Sequence, residues 1–218
     1  MTYAISDIHG CLEALKNLLS RLDLTQEDSL IFLGDYIDRG PNSKGVVDFL
    51  LNFDQEYIHL IGNHELFLQK AFTSEQDLSF FKQELVGGEH TLTSYGGELT
   101  DIPKNHLKFL LEDSSPYYET SSHIFVHGGV NAQLDLSDQT VETFTWKRFQ
   151  EALPHKSSKI VICGHTIVGD VPKVKGGHTI GIDTGAGKGG WITALEIETN
   201  RYFQANEEGD VREGRLEL

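Results

Sequence analysis

Short apolar runs along the chain alternate with longer stretches in which apolar residues return every three or four positions. Residues 3–6, Tyr-Ala-Ile-Ser, read as a short first strand, and Leu12, Leu15, Leu18, Leu19 and Leu22 follow at helical spacing. A polar turn over 25–29 leads to Leu30-Ile31-Phe32-Leu33, a run apolar enough for a buried strand. Residues 43–53 read as a helix through Val46, Val47, Leu50 and Leu51, residues 57–61 as a third strand, and Leu66 to Phe72 as another helix. From about 73 to 120 the pattern loosens: Gly87-Gly88 and Gly96-Gly97 bracket a polar segment, and Asn105–Leu111 reads as a short helix. Strands then dominate, over 122–126, 159–163, 178–183, 191–198 and 201–205. In 191–198, Ile192, Ala194 and Glu196 alternate with Thr193, Leu195 and Ile197. The acidic tail after Asn206 reads as loose.

Strand–helix alternation followed by strand after strand predicts a layered α/β fold, with central β-sheets inside and helices outside. A single domain over 1–218 is expected, with about 73–120 as a cap-like insertion. That insertion reads as a lid or substrate selector, or else as a subdomain that only packs.

Polar side chains gather where the predicted strands end. Asp7-Ile8-His9-Gly10 follows the first strand, and Gly34-Asp35-Tyr36-Ile37-Asp38-Arg39-Gly40-Pro41 follows the second. Gly62-Asn63-His64-Glu65, His127-Gly128-Gly129, Gly164-His165-Thr166 and Asp183-Thr184-Gly185 follow later ones. Singly, each has an ordinary explanation: Asp7 or Asn63 as a helix cap, His9 as a loop residue, His64 as an exposed helix-start histidine, Asp38 and Arg39 as a surface pair. Together they repeat one event, a ligand-bearing residue at a strand's carboxyl end beside a glycine that permits close approach.

Composition narrows the chemistry. The chain has 218 residues, 39% hydrophobic and 23% charged, which suits a soluble globular protein with one sizeable core. No apolar run approaches the roughly 20 residues needed to cross a bilayer. The start, Met-Thr-Tyr-Ala-Ile-Ser-Asp, has no signal-peptide core, so a cytoplasmic protein without a membrane partner is expected. Cys11 and Cys163 are too few for a disulfide framework and form no CxxC pair. A formal charge of −15 with no basic stripe argues against a nucleic-acid partner. An anionic substrate then requires cations that reverse the field locally. The oligomeric state is not legible.

The strand ends offer such a site. Asp7, His9, Asp35, Asn63, His127 and His165 form a mixed oxygen and nitrogen donor set, which favours manganese, iron or zinc over calcium or magnesium alone. Two carboxylates leave two divalent ions with excess positive charge, which a phosphate needs. Metals about 3.5–4 Å apart can share a hydroxide and clamp an in-line displacement.

These motifs in this order resemble the phosphoprotein phosphatase branch of the calcineurin-like metallophosphoesterases. The Gly87–Gly96 segment and the Asp-Thr-Gly ending resemble bacterial and phage members in particular, including relatives named as diadenosine tetraphosphatases. The resemblance implies a layered metallophosphoesterase fold with a dinuclear metal site at the strand ends. It implies two divalent ions, Mn2+ first and Fe or Zn next. One would be held by Asp7, His9 and Asp35, the other by Asp35, Asn63, His127 and His165. His64 matches the general acid and Asp38 the carboxylate that orients it. Arg39 and, by a short Trp-x-Arg match, Arg148 correspond to the arginines that grip phosphoryl oxygens. Glu65 would act from behind the ligands. The family's tyrosine in the loop after the last motif has no equivalent in Asp183–Gly187. His59, His90, His106, His123, His155 and His178 match no motif and read as surface or structural.

The resulting expectation is a hydrolase of phosphate monoesters by in-line attack of metal-bound hydroxide, on phosphorylated proteins (Ser/Thr, and also Tyr) or small phosphoesters. The alternatives are a dinucleoside polyphosphate (diadenosine tetraphosphate) hydrolase and a non-catalytic metal- or phosphate-binding module. Symmetric bacterial dinucleotide hydrolases commonly carry Ala before the loop arginine, so Asp38 tilts the expectation toward monoesters.

Overall fold

The computed structural model describes residues 1–217. The first half runs β1 (Thr2–Ile5), α1 (Leu12–Leu19), β2 (Ser29–Phe32), α2 (Ser43–Leu51), β3 (Tyr57–His59), α3 (Asn63–Ala71). Three further helices follow, α4 (Glu75–Phe81), α5 (Gly88–Tyr95) and α6 (Lys104–Leu107), the last continuing as a wider turn to Glu112. The second half carries β4 (Tyr117–Glu119), β5 (His123–Val126), α7 (Val141–Trp146), β6 (Ile160–Cys163), β7 (Lys173–Lys175), β8 (Thr179–Gly181), β9 (Ile192–Glu196), β10 (Arg201–Ala205) and β11 (Val211–Arg215).

The strands form two mixed sheets, in the orders β11-β10-β9-β1-β2-β3 and β4-β5-β6-β8-β7. β1, β2 and β3 are parallel in the first, and β5, β6 and β8 in the second. The period-2 alternation of a strand explains the layers. In β1, Tyr3 and Ile5 join the helix-side core with Leu15 and Leu18 of α1 and Val46 and Val47 of α2. Ala4 turns the other way and meets Ile31, Phe125, Ile162, Ile180 and Leu195 between the two sheets. On the far side, Ile124, Val126, Val161 and Cys163 pack against Phe144 of α7. The order is therefore helices, sheet, sheet, helix, in keeping with the layered expectation. Being covered on both faces, β9 is buried along its whole length despite its alternating residues.

This stacking sets the carboxyl ends of both parallel sets side by side. β1 delivers Asp7 and His9, β2 Asp35, β3 Asn63, β5 His127, β6 His165 and β8 Asp183. Gly34 shows how tightly these exits meet. Its φ is +108°, and a Cβ there would lie 2.6 Å from the Gly62 nitrogen, so only glycine lets the β2 and β3 exits touch.

Several sequence expectations need correction. The tail is not loose: Val211–Arg215 is the edge strand β11, paired antiparallel with β10. Arg212 lies over the Trp191 ring at 4.0 Å, which gives this charged strand a second hold. β4 and β7, three residues each, were too short to stand out by periodicity. α3 starts at Asn63, with Gly62 as its cap, so Asn63 is not the N-cap residue. The 73–120 stretch is largely helical. Among the described residues no helix is long and apolar enough to cross a membrane.

Candidate metal centre and active site

Every residue proposed as a ligand from the sequence comes to one buried place except where noted below. Asp7, His9, Asp35, Asn63, His64 and His127 are each at most 3% exposed. The reading of His64 as an exposed helix-start histidine therefore fails, Cys11 rather than Asp7 caps α1, and His9 lies in the turn after β1 but is buried there.

Asp35 is the hub. His9, Asp35 and His64 offer ligand atoms within 4.8 Å of one another, and so do Asp35, His127 and His165. The Asp35 Oδ2 lies 3.6 Å from His9 Nε2, 3.4 Å from His127 Nε2 and 3.9 Å from His64 Nε2. Asn63 Oδ1 lies 2.9 Å from His127 Nε2 and 2.8 Å from His165 Nδ1. One difference from the sequence expectation is that His64, not Asp7, clusters with His9 and Asp35. The two oxygens of Asp7 accept the backbone N–H of His165, both at 3.1 Å, and hold the β6 exit against the β1 exit.

Neighbouring backbone fixes the rings. His9 Nδ1 donates to the Ile37 carbonyl (2.9 Å), which turns the Nε2 lone pair toward the cluster, where Arg39 Nη1 donates to it at 2.8 Å. His127 Nδ1 donates to the Leu33 carbonyl (3.0 Å), a bond that crosses from one sheet to the other. Anchoring one ring nitrogen this way orients the other as a metal ligand. Gly187 closes the other side, since a Cβ there would lie 2.7 Å from the His9 ring. Among the described residues, five of the eight non-glycine positions with positive φ are in this site: His9, Asp35, Asp38, Arg39 and His165. Such conformations cost energy and persist where surrounding bonds over-determine them.

Charge explains why the site suits cations. Burial raises Asp7 well above the carboxylate range, and the nearby Asp183 adds to it. Burial lifts Asp183 to about 6 and Glu65 to about 7. Burial also pushes Asp35 up, but the charges of His127, His64 and His9 outweigh it and hold the group well below its usual range. Burial and the neighbouring charges of His64 and Arg39 keep His9 low, and burial brings His165 to about 4. Crowded buried carboxylates beside imidazoles form a donor set that fits two divalent cations.

His64 and Asp38 form a separate unit. His64 Nδ1 lies 2.7 Å from Asp38 Oδ2, and Thr91 Oγ1 donates to Asp38 Oδ1 at 2.6 Å. The Asp38 backbone N–H donates to Thr91 Oγ1 (2.8 Å) and Ser43 Oγ (3.1 Å). Burial raises the Asp38 carboxyl, and the His64 bond counters part of that rise. Arg39 holds its backbone N–H on the Gly87 carbonyl at 3.1 Å, beside the insertion. Arg148 is exposed at the end of α7, near enough for its charge to lower His165.

Three contributors escaped the sequence reading. Asp183 follows the apolar Ile180–Ile182 stretch and lies two residues before Gly185, a weaker local signal than that of Asp35, which follows Gly34 directly. Thr91 and Ser43 carry no local signal, because their bonds to Asp38 span 53 and 5 residues. The unmatched histidines are structural or lie at the rim: His106 is buried between Tyr95 and Asp48, His155 bonds Ser157 and the Leu134 carbonyl, and His59 stacks on Phe109.

Glu65 is fully buried and accepts the backbone N–H groups of Asp35, Gly62 and Tyr36, each at 2.9 Å. Glu65→Gln would turn an amide NH2 toward one of those donors. It is expected to cost about 1–3 kcal/mol and lower the melting midpoint by several degrees. A thermal melt within about one degree of the parent would refute that assignment.

His127 sets the pH response. Burial pulls its pKa down, but Asp35, by charge and bond, and then Asp7 and Glu65 raise it from 6.5 to about 10. A raised folded-state pKa stabilises below the unfolded value and loses that contribution as pH rises through the folded one. Metal-free protein is therefore expected to lose stability between pH 6.5 and about 10. Urea unfolding with a chelator at several pH values tests this; flat or rising stability there would contradict it.

The calcineurin-like phosphoesterase family profile matches residues 2–169. The chain is 28% identical over 234 residues to the Bacillus thuringiensis (strain Al Hakam) bis(5'-nucleosyl)-tetraphosphatase PrpE [asymmetrical], covering 89% of this chain and 91% of that one. A crystal structure of a candidate diadenosine tetraphosphatase superposes with a TM-score of 0.66 at 19% identity, over 98% of this chain and 92% of that one. The cold-active protein-tyrosine phosphatase of a psychrophilic Shewanella sp. gives 0.61 at 18% identity, over 97% and 79%. At those identities the structural likeness speaks for the fold alone. With the family match covering most of the chain and the donor cluster at its strand ends, this protein belongs to the calcineurin-like phosphoesterases, phosphoric ester hydrolases that work with divalent metals.

Proposed function

We propose that this chain is a metal-dependent hydrolase of dinucleoside polyphosphates such as diadenosine tetraphosphate. The observation that carries the reading is the alignment with bacterial relatives of that name over nearly the whole length of both chains. It reverses the order reached from the sequence, where phosphate monoesters came first. The surroundings of Arg39 support it. A cleft of about 510 Å³ opens beside that guanidinium and is lined by His90, Gly187 and Lys188 among others. In a chain of net charge −15, a cleft where Arg39 and Lys188 outnumber the one carboxylate, Glu84, favours a substrate with more than one phosphoryl group.

The chain's own residues take these roles. Asp7, His9 and Asp35 would hold one cation, and Asp35, Asn63, His127 and His165 the other, with Mn2+ as the first candidate. Two such ions, when bound, supply Lewis-acid polarisation and an activated water. Arg39 and Arg148 orient the phosphoryl oxygens through guanidinium forks. His64, steered by Asp38, faces the departing oxygen and gives it a proton where that oxygen is basic enough to need one. The stretch at about 73–120 is a cap within a single domain: it holds Asp38 through Thr91 and lines the cleft through His90.

A second reading, hydrolysis of phosphate monoesters including phosphoproteins, is favoured by the intact His64–Asp38 pair at 2.7 Å. An alkoxide is a poor leaving group and needs such an acid. Parallel assays of diadenosine tetraphosphate and phosphoserine, phosphothreonine and phosphotyrosine peptides, with Mn2+, Zn2+ and Mg2+ supplied separately, decide between them. The dinucleotide is expected to give a kcat/KM at least about tenfold higher. The reverse ranking would install the second reading, and no turnover of any phosphoester would leave only a binding module.

A further inference from the structure

We infer that an aromatic groove on the His64 side of the site, formed by Phe67, Phe80 and Trp146, seats the nucleobase of the substrate's departing nucleotide. The inference rests on the proposed function and deepens it. Phe67 follows His64 by three residues on α3, so the two side chains share one helix face. Its ring meets the imidazole edge-on, with centroids 5.6 Å apart. Phe67 also meets Phe80 of α4 at 5.3 Å and Trp146 of α7 at 5.2 Å. Trp146 lies 5.7 Å from the His165 ring. A continuous aromatic surface thus runs outward from both imidazoles.

This surface is left open to water. Phe80 and Trp146 are each 42% exposed, although both belong to helices with buried neighbours. A hollow of about 310 Å³ lies along it, lined by Phe67, Lys70, Gln76, Asp77 and Phe80. An exposed aromatic patch continuous with a catalytic site marks a binding surface.

The lining chemistry selects the occupant. A purine presents a broad π-face to stack on aromatic rings, which is how proteins hold unpaired bases. It also presents donor and acceptor atoms at its edge, and the Gln76 amide offers the complement of both. Lys70 and Asp77 share the lining, where their opposite charges offset, so the hollow reads the base rather than a phosphate. A phosphotyrosine ring would stack, but it has no edge for Gln76 to read. Location fixes which nucleotide is bound: His64 faces the departing oxygen, so the group beyond His64 is the one that leaves.

Trp146 reports on its own groove. ADP added to the Mg2+-loaded protein is expected to quench tryptophan emission saturably, and this quenching should vanish in Trp146→Phe. Inorganic tripolyphosphate, which has no base, should not quench. Phe80→Ala is expected to raise the apparent Kd for ADP about tenfold. It should also lower kcat/KM for diadenosine tetraphosphate about tenfold more than for tripolyphosphate. Equal quenching by tripolyphosphate, quenching by phenyl phosphate but not ADP, or ADP quenching that survives in Trp146→Phe would overturn the assignment. The two failures are separable. Dinucleotide turnover without ADP quenching removes the base seat alone, whereas ADP quenching without dinucleotide turnover removes the proposed activity and leaves the seat.

Discussion

Asparagine in place of Asp35 is expected to lower phosphohydrolase activity by about 10³-fold or more, because several kcal/mol of charge stabilisation go with the bound cations. Asp35 belongs to both candidate ligand groups. Its Oδ1 accepts the backbone N–H of His64 at 3.0 Å, while Oδ2 faces the imidazoles of His9, His127 and His64. Asparagine keeps the size and one acceptor oxygen, so the bond that seats α3 can survive. It removes the negative charge that draws two positive ions together. Metal analysis of the purified variant should therefore show less than the parent's content, with a thermal melt confirming a folded protein. A folded variant with full metal content and activity within about tenfold of the parent would take Asp35 out of the set of residues that would hold the cations.

His64→Asn is expected to act according to the leaving group. On an alkyl phosphate, where an alkoxide must be protonated, the loss should be about 10²–10⁴-fold. On p-nitrophenyl phosphate or diadenosine tetraphosphate, whose leaving groups depart as stabilised anions, it should stay within about tenfold. The geometry makes this a sharp test. His64 Nδ1 is bound to Asp38, as an acid needs, yet its Nε2 also clusters with His9 and Asp35 as a cation ligand would. Equal losses on all three substrates, together with reduced metal content, would identify His64 as a cation holder. A loss graded by leaving group, with metal content unchanged, would identify it as the acid.

The tertiary contacts of Asp38 show where sequence reading stops. The spacing of Asp35, Asp38 and Arg39 on one loop was legible, because a buried strand followed by Gly and charge is a local pattern. That Asp38 is held by Thr91 was not, since Thr91 lies in a stretch with no strong periodicity. The same contrast separates Asp35 from Asp183. Both follow apolar runs, but only the stacked sheets reveal that Asp183 presses its charge on Asp7. The tail was misread for a related reason. An edge strand of charged residues has no apolar alternation, and it becomes a strand only because β10 offers an unpaired edge.

The chain by itself determined the layered α/β class, the positions of its main strands and helices, and the chemistry waiting at the strand ends. Those follow from local physics: apolar period, the turn freedom of glycine, and the donor atoms of Asp, Asn and His. Folding alone decided that two sheets would set their parallel strand ends side by side, with the Asp35 carboxylate among three imidazoles. It also decided that Glu65 would spend its charge on three backbone donors, and that Phe67, Phe80 and Trp146 would meet beside His64. Each of these depends on distances between residues far apart in sequence, which only the packing of the layers sets.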